Sequence, residues 1–457
     1  MTESKRDSFG QAMAAVIVAV VLGWLLALGP LAGPAAAVNP PLPLPNPDAP
    51  AVVPQPRTLE SPSSRSVAGT CAEMRRQVRR GNSAPSLAVV ELGSGERICS
   101  LNPKKTRSLA SNTKILTTTA ILGRLGAAHR FQTRLFADGQ IDRNGVLDGD
   151  LYLKGGGDPG LGTGPFLDRY LPGAGTNIDS LARQARAAGL KRVTGRVYGD
   201  ESVFDSLRGV ADSGFATSPW IGPLSGLSIN AGYTGASLDR FSASPARLAT
   251  KGLVERLRKR GISVSSRTAL GKTPRTAMRG GPLARVESED MAFMARITNV
   301  YSNNFFAEML VKALGAAKGR GGSTSAGIRV VRSFAASLGA TVDPVDGSGL
   351  TFTNRGTARA LAGLLARSRE EQWWGHFYRS LPKAGREGTV ADRMEGTAAQ
   401  GRCRTKTGTL TGVSTLSGYC FNRSKRKFAF SILMNGVSNT YEARAAQDRI
   451  AVLLAGL

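Results

Sequence analysis

The chain has 457 residues, 41% of them hydrophobic and 20% charged, a balance that excludes a disordered polymer and allows about two or three domains. Lys and Arg number 60 against 33 Asp and Glu, a formal net charge of +27, and residues 1–60 contribute almost none of it, so the excess sits on the folded body. Such a surface suits a polyanion, whether nucleic acid, anionic lipid or acidic cell-wall polymer. The basic residues are scattered, with no zinc-finger or RNA-binding signature, and charge alone does not choose the partner; the export signal at the N-terminus is what argues against nucleic acid.

In chain order, Lys5 and Arg6 precede an uncharged apolar stretch from Ala12 to Leu28, closed by Gly29-Pro30 and followed by Pro34-Ala35-Ala36-Ala37. Residues 1–38 therefore read as a signal or membrane anchor: the run exceeds the ~7–15 residues of a cleaved signal and falls slightly short of the ~20 that span a bilayer. Basic residues before the run, and none after it until Arg57, place the C-terminal bulk outside. Residues 39–64 are a Pro-rich linker, with Pro40-Pro41-Leu42-Pro43-Leu44-Pro45 as an extended spacer. Export permits disulfides among Cys71, Cys99, Cys403 and Cys420. Cys403 and Cys420 flank a predicted hairpin, which leaves Cys71 for Cys99, although four cysteines admit three pairings. Lacking C-x-x-C spacing, and with only His129 and His376 besides, they do not make a zinc cluster.

The body starts near Val67. Residues 65–130 form the first part of a catalytic domain: a strand over Ser86–Leu92, a turn at Gly93–Glu96, a strand over Arg97–Leu101 and a helix opened by Ser111 with Ile115, Leu116, Ala120, Ile121 and Leu125 on its apolar positions. Residues 131–282 change to short strands, such as Asp150–Lys154 and Arg192–Tyr198, between Gly-rich turns and a few helices, one of them over about 250–260. They read as one inserted lobe or two. Residues 283–457 return to the catalytic domain. Helices are predicted over 287–314, 326–338 and 357–367, then strands near 402–406, 413–421 and 427–434, and a closing helix over 441–454.

Three clusters carry the chemistry: Ser111-Asn112-Thr113-Lys114, Ser302-Asn303-Asn304 and Lys406-Thr407-Gly408. The S-x-x-K spacing puts a hydroxyl and an amine one helical turn apart on one face. A serine hydroxyl is a poor nucleophile until a base takes its proton, and a lysine serves as that base once burial or a nearby cation lowers its pKa. Lys406 is the natural second cation. Ser302 supplies a hydroxyl relay toward the leaving group, and Asn304 an amide to fix Lys114 and a substrate carbonyl. Thr407 offers a hydroxyl to a terminal carboxylate, Gly408 lets the strand lie close to a bound peptide, and the N–H groups of Ser111 and Thr409 make an oxyanion hole. The nearby decoys fail: Pro382 obstructs a helix at Ser380-Leu381-Pro382-Lys383, and Ser228-Ile229-Asn230 completes no ordered trio. No nucleophile-elbow motif lies beside either histidine, and Pro159 spoils Gly155–Gly160 as a dinucleotide loop.

With Leu147-Asp148-Gly149-Asp150-Leu151-Tyr152-Leu153, Gly199-Asp200-Glu201-Ser202, Asp346-Gly347-Ser348-Gly349 and Leu381-Pro382-Lys383-Ala384-Gly385, the trio resembles the D-alanyl-D-alanine carboxypeptidase/endopeptidase family, the class C penicillin-binding proteins of type 4. The resemblance runs from about Val67 to the C-terminus. It implies an α/β fold of the penicillin-recognising, serine β-lactamase-like kind, an antiparallel sheet flanked by helices with the insert between the first two motifs. It implies cleavage of peptidoglycan stem peptides ending in D-Ala-D-Ala, acylation of Ser111 by β-lactam antibiotics, and no metal or organic cofactor. Asp200 and Arg355 are carried over as substrate-binding candidates for a diamino acid's ammonium and carboxylate, beside plainer readings as a turn-capping Asp and a solvated Arg. Two rivals remain at this point, a β-lactamase using the same site and a non-catalytic cell-wall-binding protein. Nothing in the sequence fixes an oligomeric state.

Overall fold

The computed structural model describes residues 66–235 and 238–457, so the signal or anchor and the Pro-rich linker lie outside the described residues. Its central sheet has five strands: β1 (Asn82–Glu91), β2 (Arg97–Leu101), β3 (Cys403–Leu410), β4 (Val413–Phe421) and β5 (Lys427–Val437). They lie in the order β3-β4-β5-β1-β2, every pair antiparallel. Both faces are covered, which is why β4 and β5 are buried almost without alternation. Phe428, Phe430, Ile432 and Met434 join Leu87 and Val89 under the helices α1 (Val67–Val78) and α8 (Thr440–Gly456). Ala429, Leu433 and Tyr419 face the opposite layer, drawn from α2 (Thr113–Leu125), α3 (Met291–Val300), α4 (Asn304–Lys318), α5 (Thr324–Ser337), α6 (Ala358–Ser368) and α7 (Trp374–Ser380). Truncating a side chain as fully enclosed as Phe430 to alanine costs about 3–5 kcal/mol.

Two disulfides staple this body. Cys71–Cys99 ties α1 to β2, and Cys403 sits directly opposite Cys420 in the β3–β4 register and is bonded to it. Of the three possible pairings this is the one the hairpin favoured.

The segment expected as one helical run over 287–314 is built differently. Ala284–Asp290 is a strand whose Ala284, Val286 and Ser288 are buried in turn, a period of two rather than 3.6. Asp290 then caps α3, its carboxylate accepting from the Phe293 N–H at 2.8 Å. The chain breaks again at Tyr301–Asn303: Ser302 takes φ +55°, and the Asn303 side chain caps α4 by accepting from the Phe306 N–H at 2.9 Å. A strained backbone at a motif serine costs of order 1–3 kcal/mol, and here it turns that serine out of the helix into the cleft.

Between α2 and α3, the hairpin Arg130–Ile141 and Val146–Lys154 starts a second sheet of seven strands, to which Ala284–Asp290 pairs antiparallel and four short strands pair parallel. Helices Asp179–Ala187 and Pro245–Lys259 pack on it. The second begins before the expected 250, because Pro245 suits a first helical turn. Among the described residues no helix is long and apolar enough to cross a membrane.

Candidate active site

Ser111 sits in a 3₁₀ turn, Ala110–Asn112, that feeds directly into α2. Ala110 is held at φ +46°, and the turn is clamped from both sides. Asn112 Nδ2 donates to the Lys406 carbonyl at 3.1 Å and to Thr415 Oγ1 at 2.8 Å, while Thr113 Oγ1 donates to the Ala110 carbonyl at 2.8 Å. The first and third motifs are thus joined by a side-chain amide on a backbone carbonyl before any catalytic contact is made. A Cβ on Gly408 would lie 2.9 Å from Ser111 N and 3.1 Å from Ala110 Cβ, so glycine is needed where strand and nucleophile turn meet, besides any room it gives a bound peptide.

The three motifs converge. Lys114 Nζ lies 3.0 Å from Ser111 Oγ, 2.7 Å from Asn304 Oδ1 and 2.5 Å from the Ser348 carbonyl. Lys406 Nζ donates to Ser302 Oγ at 2.9 Å and to the Thr407 carbonyl at 2.9 Å. Both lysines are fully buried, whereas Ser111 and Ser302 keep 8% and 9% of their surface, enough to meet a ligand. Asn304 also donates from Nδ2 to the Trp220 carbonyl at 3.0 Å, which brings the inserted lobe into the site.

Burial pushes the Lys114 amine down to about 7, against the pull of Asp346 and Glu308 toward the charged form. Lys406 is also driven well below the usual lysine range, first by burial and then by the like charge of Lys114. Desolvation, more than the second cation expected from sequence, is what lowers the pKa of the Lys114 amine.

β3 is the edge strand of the sheet. The Thr405 N–H points off that edge to the Pro382 carbonyl at 3.0 Å, so by the period of two the N–H groups of Thr407 and Thr409 face outward on the same side. The Thr407 hydroxyl donates to Thr389 Oγ1 at 2.9 Å, and the Arg444 guanidinium on α8 donates to Thr409 Oγ1 at 3.3 Å. Neither Thr389 nor Arg444 carries a motif, and only the fold brings them to the strand.

Asp200 and Arg355 are not hydrogen-bonded into this cluster. Asp200 is buried in the inserted lobe, where its carboxylate accepts from Lys154 Nζ (2.9 Å), the Thr273 N–H and hydroxyl (2.8 and 2.7 Å) and the Ser202 N–H (2.9 Å). Burial pushes its pKa up, but these bonds outweigh it and hold the carboxyl well below the usual range. Arg355 pairs with Ser108 in a two-residue ladder, and its exposed side chain lines a groove of about 610 Å³ with Arg97, Lys104 and Arg359. Two buried acids near Lys114 went unremarked as site residues. Glu308 accepts from the Gly347 N–H (3.0 and 3.1 Å) and the Ser348 N–H (2.7 Å), and Asp346 from the Gly349 and Thr351 N–H groups (2.6 and 2.8 Å). The signal for Glu308 was its place four residues after Asn304, one turn along the same helix face.

A buried amine against a serine hydroxyl, a second lysine on a second serine and an open strand edge define a lysine-assisted serine enzyme of the penicillin-recognising class. Its fold matches the crystal structure of penicillin binding protein 4 from Haemophilus influenzae with a TM-score of 0.70 at 20% identity, covering 83% of this chain and 97% of that one. The D-Ala-D-Ala carboxypeptidase 3 (S13) family profile matches residues 71–244 and 228–457, and the chain belongs to that family. It is 31% identical to the D-alanyl-D-alanine carboxypeptidase of Actinomadura sp. (strain R39) over 81% of this chain and 80% of the relative. It is also 31% identical to carboxypeptidase DacB of Mycolicibacterium smegmatis over 99% and 97%. A cell-wall peptidase family with two disulfides works outside the cytoplasm.

Proposed function

We propose that this D-Ala-D-Ala carboxypeptidase trims peptidoglycan stem peptides through an acyl-enzyme on Ser111, from a position outside the membrane held or released by the apolar stretch Ala12–Leu28. The observation that carries the reading is the contact of the buried Lys114 amine with Ser111 Oγ. Ser111 Oγ attacks the carbonyl of the penultimate D-Ala while Lys114 takes the hydroxyl proton. The oxyanion falls between the N–H groups of Ser111 and Thr409. Ser302, held by Lys406, relays the proton that Lys114 has taken to the departing amine, D-alanine leaves, and Lys114, neutral again, activates the water that releases the shortened stem. Thr407 and Thr409, with the Arg444 guanidinium beside them, are suited to the carboxylate of the leaving residue. A β-lactam carries a carboxylate and a reactive carbonyl, so it enters the same cleft and stays as a slow ester.

Intact-protein mass spectrometry tests this: benzylpenicillin should add to Ser111 in the wild type and not in Ser111→Ala. Purified stem peptides should lose one D-alanine. Rapid turnover of penicillin without peptide cleavage would favour a β-lactamase, and neither reaction would leave only a wall-binding protein.

A further inference from the structure

Glu308 is a fully buried carboxylate that the acyl-transfer chemistry does not call upon. It lies on the face of α4 that also carries Asn304, one turn further on, and its oxygens take the N–H groups of Gly347 and Ser348. The other sides of that peptide are gripped as well. Thr117 Oγ1, on α2 one turn after Lys114, donates to the Gly347 carbonyl at 2.8 Å, and the Ser348 carbonyl is the 2.5 Å partner of Lys114 Nζ. Gly347 is obligatory, because a Cβ there would stand 2.6 Å from Val311 Cγ2 and 2.7 Å from the Ala307 carbonyl. Two of the three contacts that hold Lys114 therefore descend from one face of α4: Asn304 directly, and Glu308 through one peptide unit.

We propose that Glu308 is a positioning residue for the general base: by gripping the Gly347 and Ser348 N–H groups it aims the Ser348 carbonyl at Lys114 Nζ and keeps the amine against Ser111. The inference rests on the serine-peptidase reading above and goes beyond it. The charge serves a second purpose. The ionisable groups around Lys114 are Glu308 from α4, Asp346 from the loop before β-paired Arg355, and Lys406 from β3. Burial first, and then Asp346, push Glu308 up to about 7, against the same bonds to Gly347 and Ser348. Base and carboxylate thus titrate in one range, as an interacting set. A negative charge at Glu308 favours protonated Lys114, so removing it should make the amine easier to deprotonate.

The test is Ser111 acylation by benzylpenicillin, followed by mass spectrometry from pH 5 to 9 in the full chain. Glu308→Gln keeps the bonds of both N–H groups to Oε1 and loses the charge with the 3.1 Å contact to Oε2, so its acid limb should move roughly one pH unit lower with the plateau largely retained. Glu308→Ala loses the aim as well, and its plateau rate should fall about 100-fold, the scale of a misplaced catalytic group. An unmoved limb in Glu308→Gln overturns the inference even if Glu308→Ala does not fold, as does wild-type acylation by a folded Glu308→Ala. A wild type that is not acylated at Ser111 at any pH brings down the serine-peptidase reading first, and the role of Glu308 with it. A functioning wild type with indifferent variants brings down only the role of Glu308.

Discussion

Asp200 in the inserted lobe and Lys114 in the cleft are both buried ionisable groups wrapped in hydrogen bonds, but their partners differ in kind. Asp200 meets an ammonium, a hydroxyl and two backbone N–H groups, so its charge is compensated on the spot and its pKa falls. Lys114 meets a hydroxyl, an amide oxygen and a backbone carbonyl, which are dipoles only, and the acids that favour its charge do not bond it directly. Burial therefore dominates at Lys114, and the amine reaches the range where it can both take and return a proton near neutral pH. A buried charge matched by a counter-charge is fixed in one state and serves structure. One solvated by dipoles is left able to change state, and serves chemistry.

The contrast is broken most directly at the nucleophile. Ser111→Ala should lower D-Ala release on the order of 10⁴-fold or more and abolish covalent labelling by fluorescent penicillin. Labelling equal to wild type would move the chemistry to another residue. Next in size is Lys114→Met, which should slow acylation roughly 10³-fold. In the wild type the neutral amine is the active form, so acylation should fall toward ~tenfold per pH unit below about 7 and level off above it. A flat profile from pH 5 to 9 in stopped-flow acylation would show that Lys114 is not the base.

The motif residues were legible because local rules place them: S-x-x-K spacing and a hairpin around K-T-G survive without knowledge of tertiary contacts. The strands of the central sheet were legible for a related reason, since local β-forming runs such as Lys427–Met434 mark them, but the burial of Ser414, Thr415 and Ser417 in Val413–Phe421 was not. What failed to show depends on folding at a distance. Glu308 in Asn-Phe-Phe-Ala-Glu-Met-Leu reads as a solvated turn until the 346–349 loop is seen to donate to it. Arg444 follows Thr409 by 35 residues and reaches it only because α8 packs back across the sheet. The expected helix over 287–314 missed two breaks, since apolar periodicity is blind to the caps at Asp290 and Asn303. Arg355 had two readings, a carboxylate binder or a solvated Arg, and its exposed side chain lines a groove with Arg97, Lys104 and Arg359.

Arg444 sharpens the comparison on the substrate side. Asp448, one turn further along the same helix, is bonded to Arg393, while the Arg444 guanidinium reaches Thr409. Arg444→Ala should lower kcat/KM about tenfold, chiefly through KM, on a peptide with a free terminal carboxylate. The same peptide amidated at its terminus should lose little further in the variant. Equal losses on both peptides would assign Arg444 to packing.

The smallest effect on activity belongs to Asp200→Asn, and it separates structure from chemistry most cleanly. The substitution preserves shape but leaves Lys154, about a quarter exposed, without its counter-charge, at a cost of roughly 2–3 kcal/mol in urea unfolding. The folded-state pKa of Asp200 lies below the unfolded value, so the stability it confers is fully present above about pH 4 and is lost as the pH falls through the folded pKa. The gap in stability between wild type and variant should therefore persist at pH 7 and shrink only in acid. kcat/KM per folded molecule should meanwhile stay within about threefold, because no bond connects Asp200 to the motif residues. A large loss of kcat/KM with unchanged stability would reverse the assignment, placing the carboxylate against substrate and making its four bonds the means of holding it there.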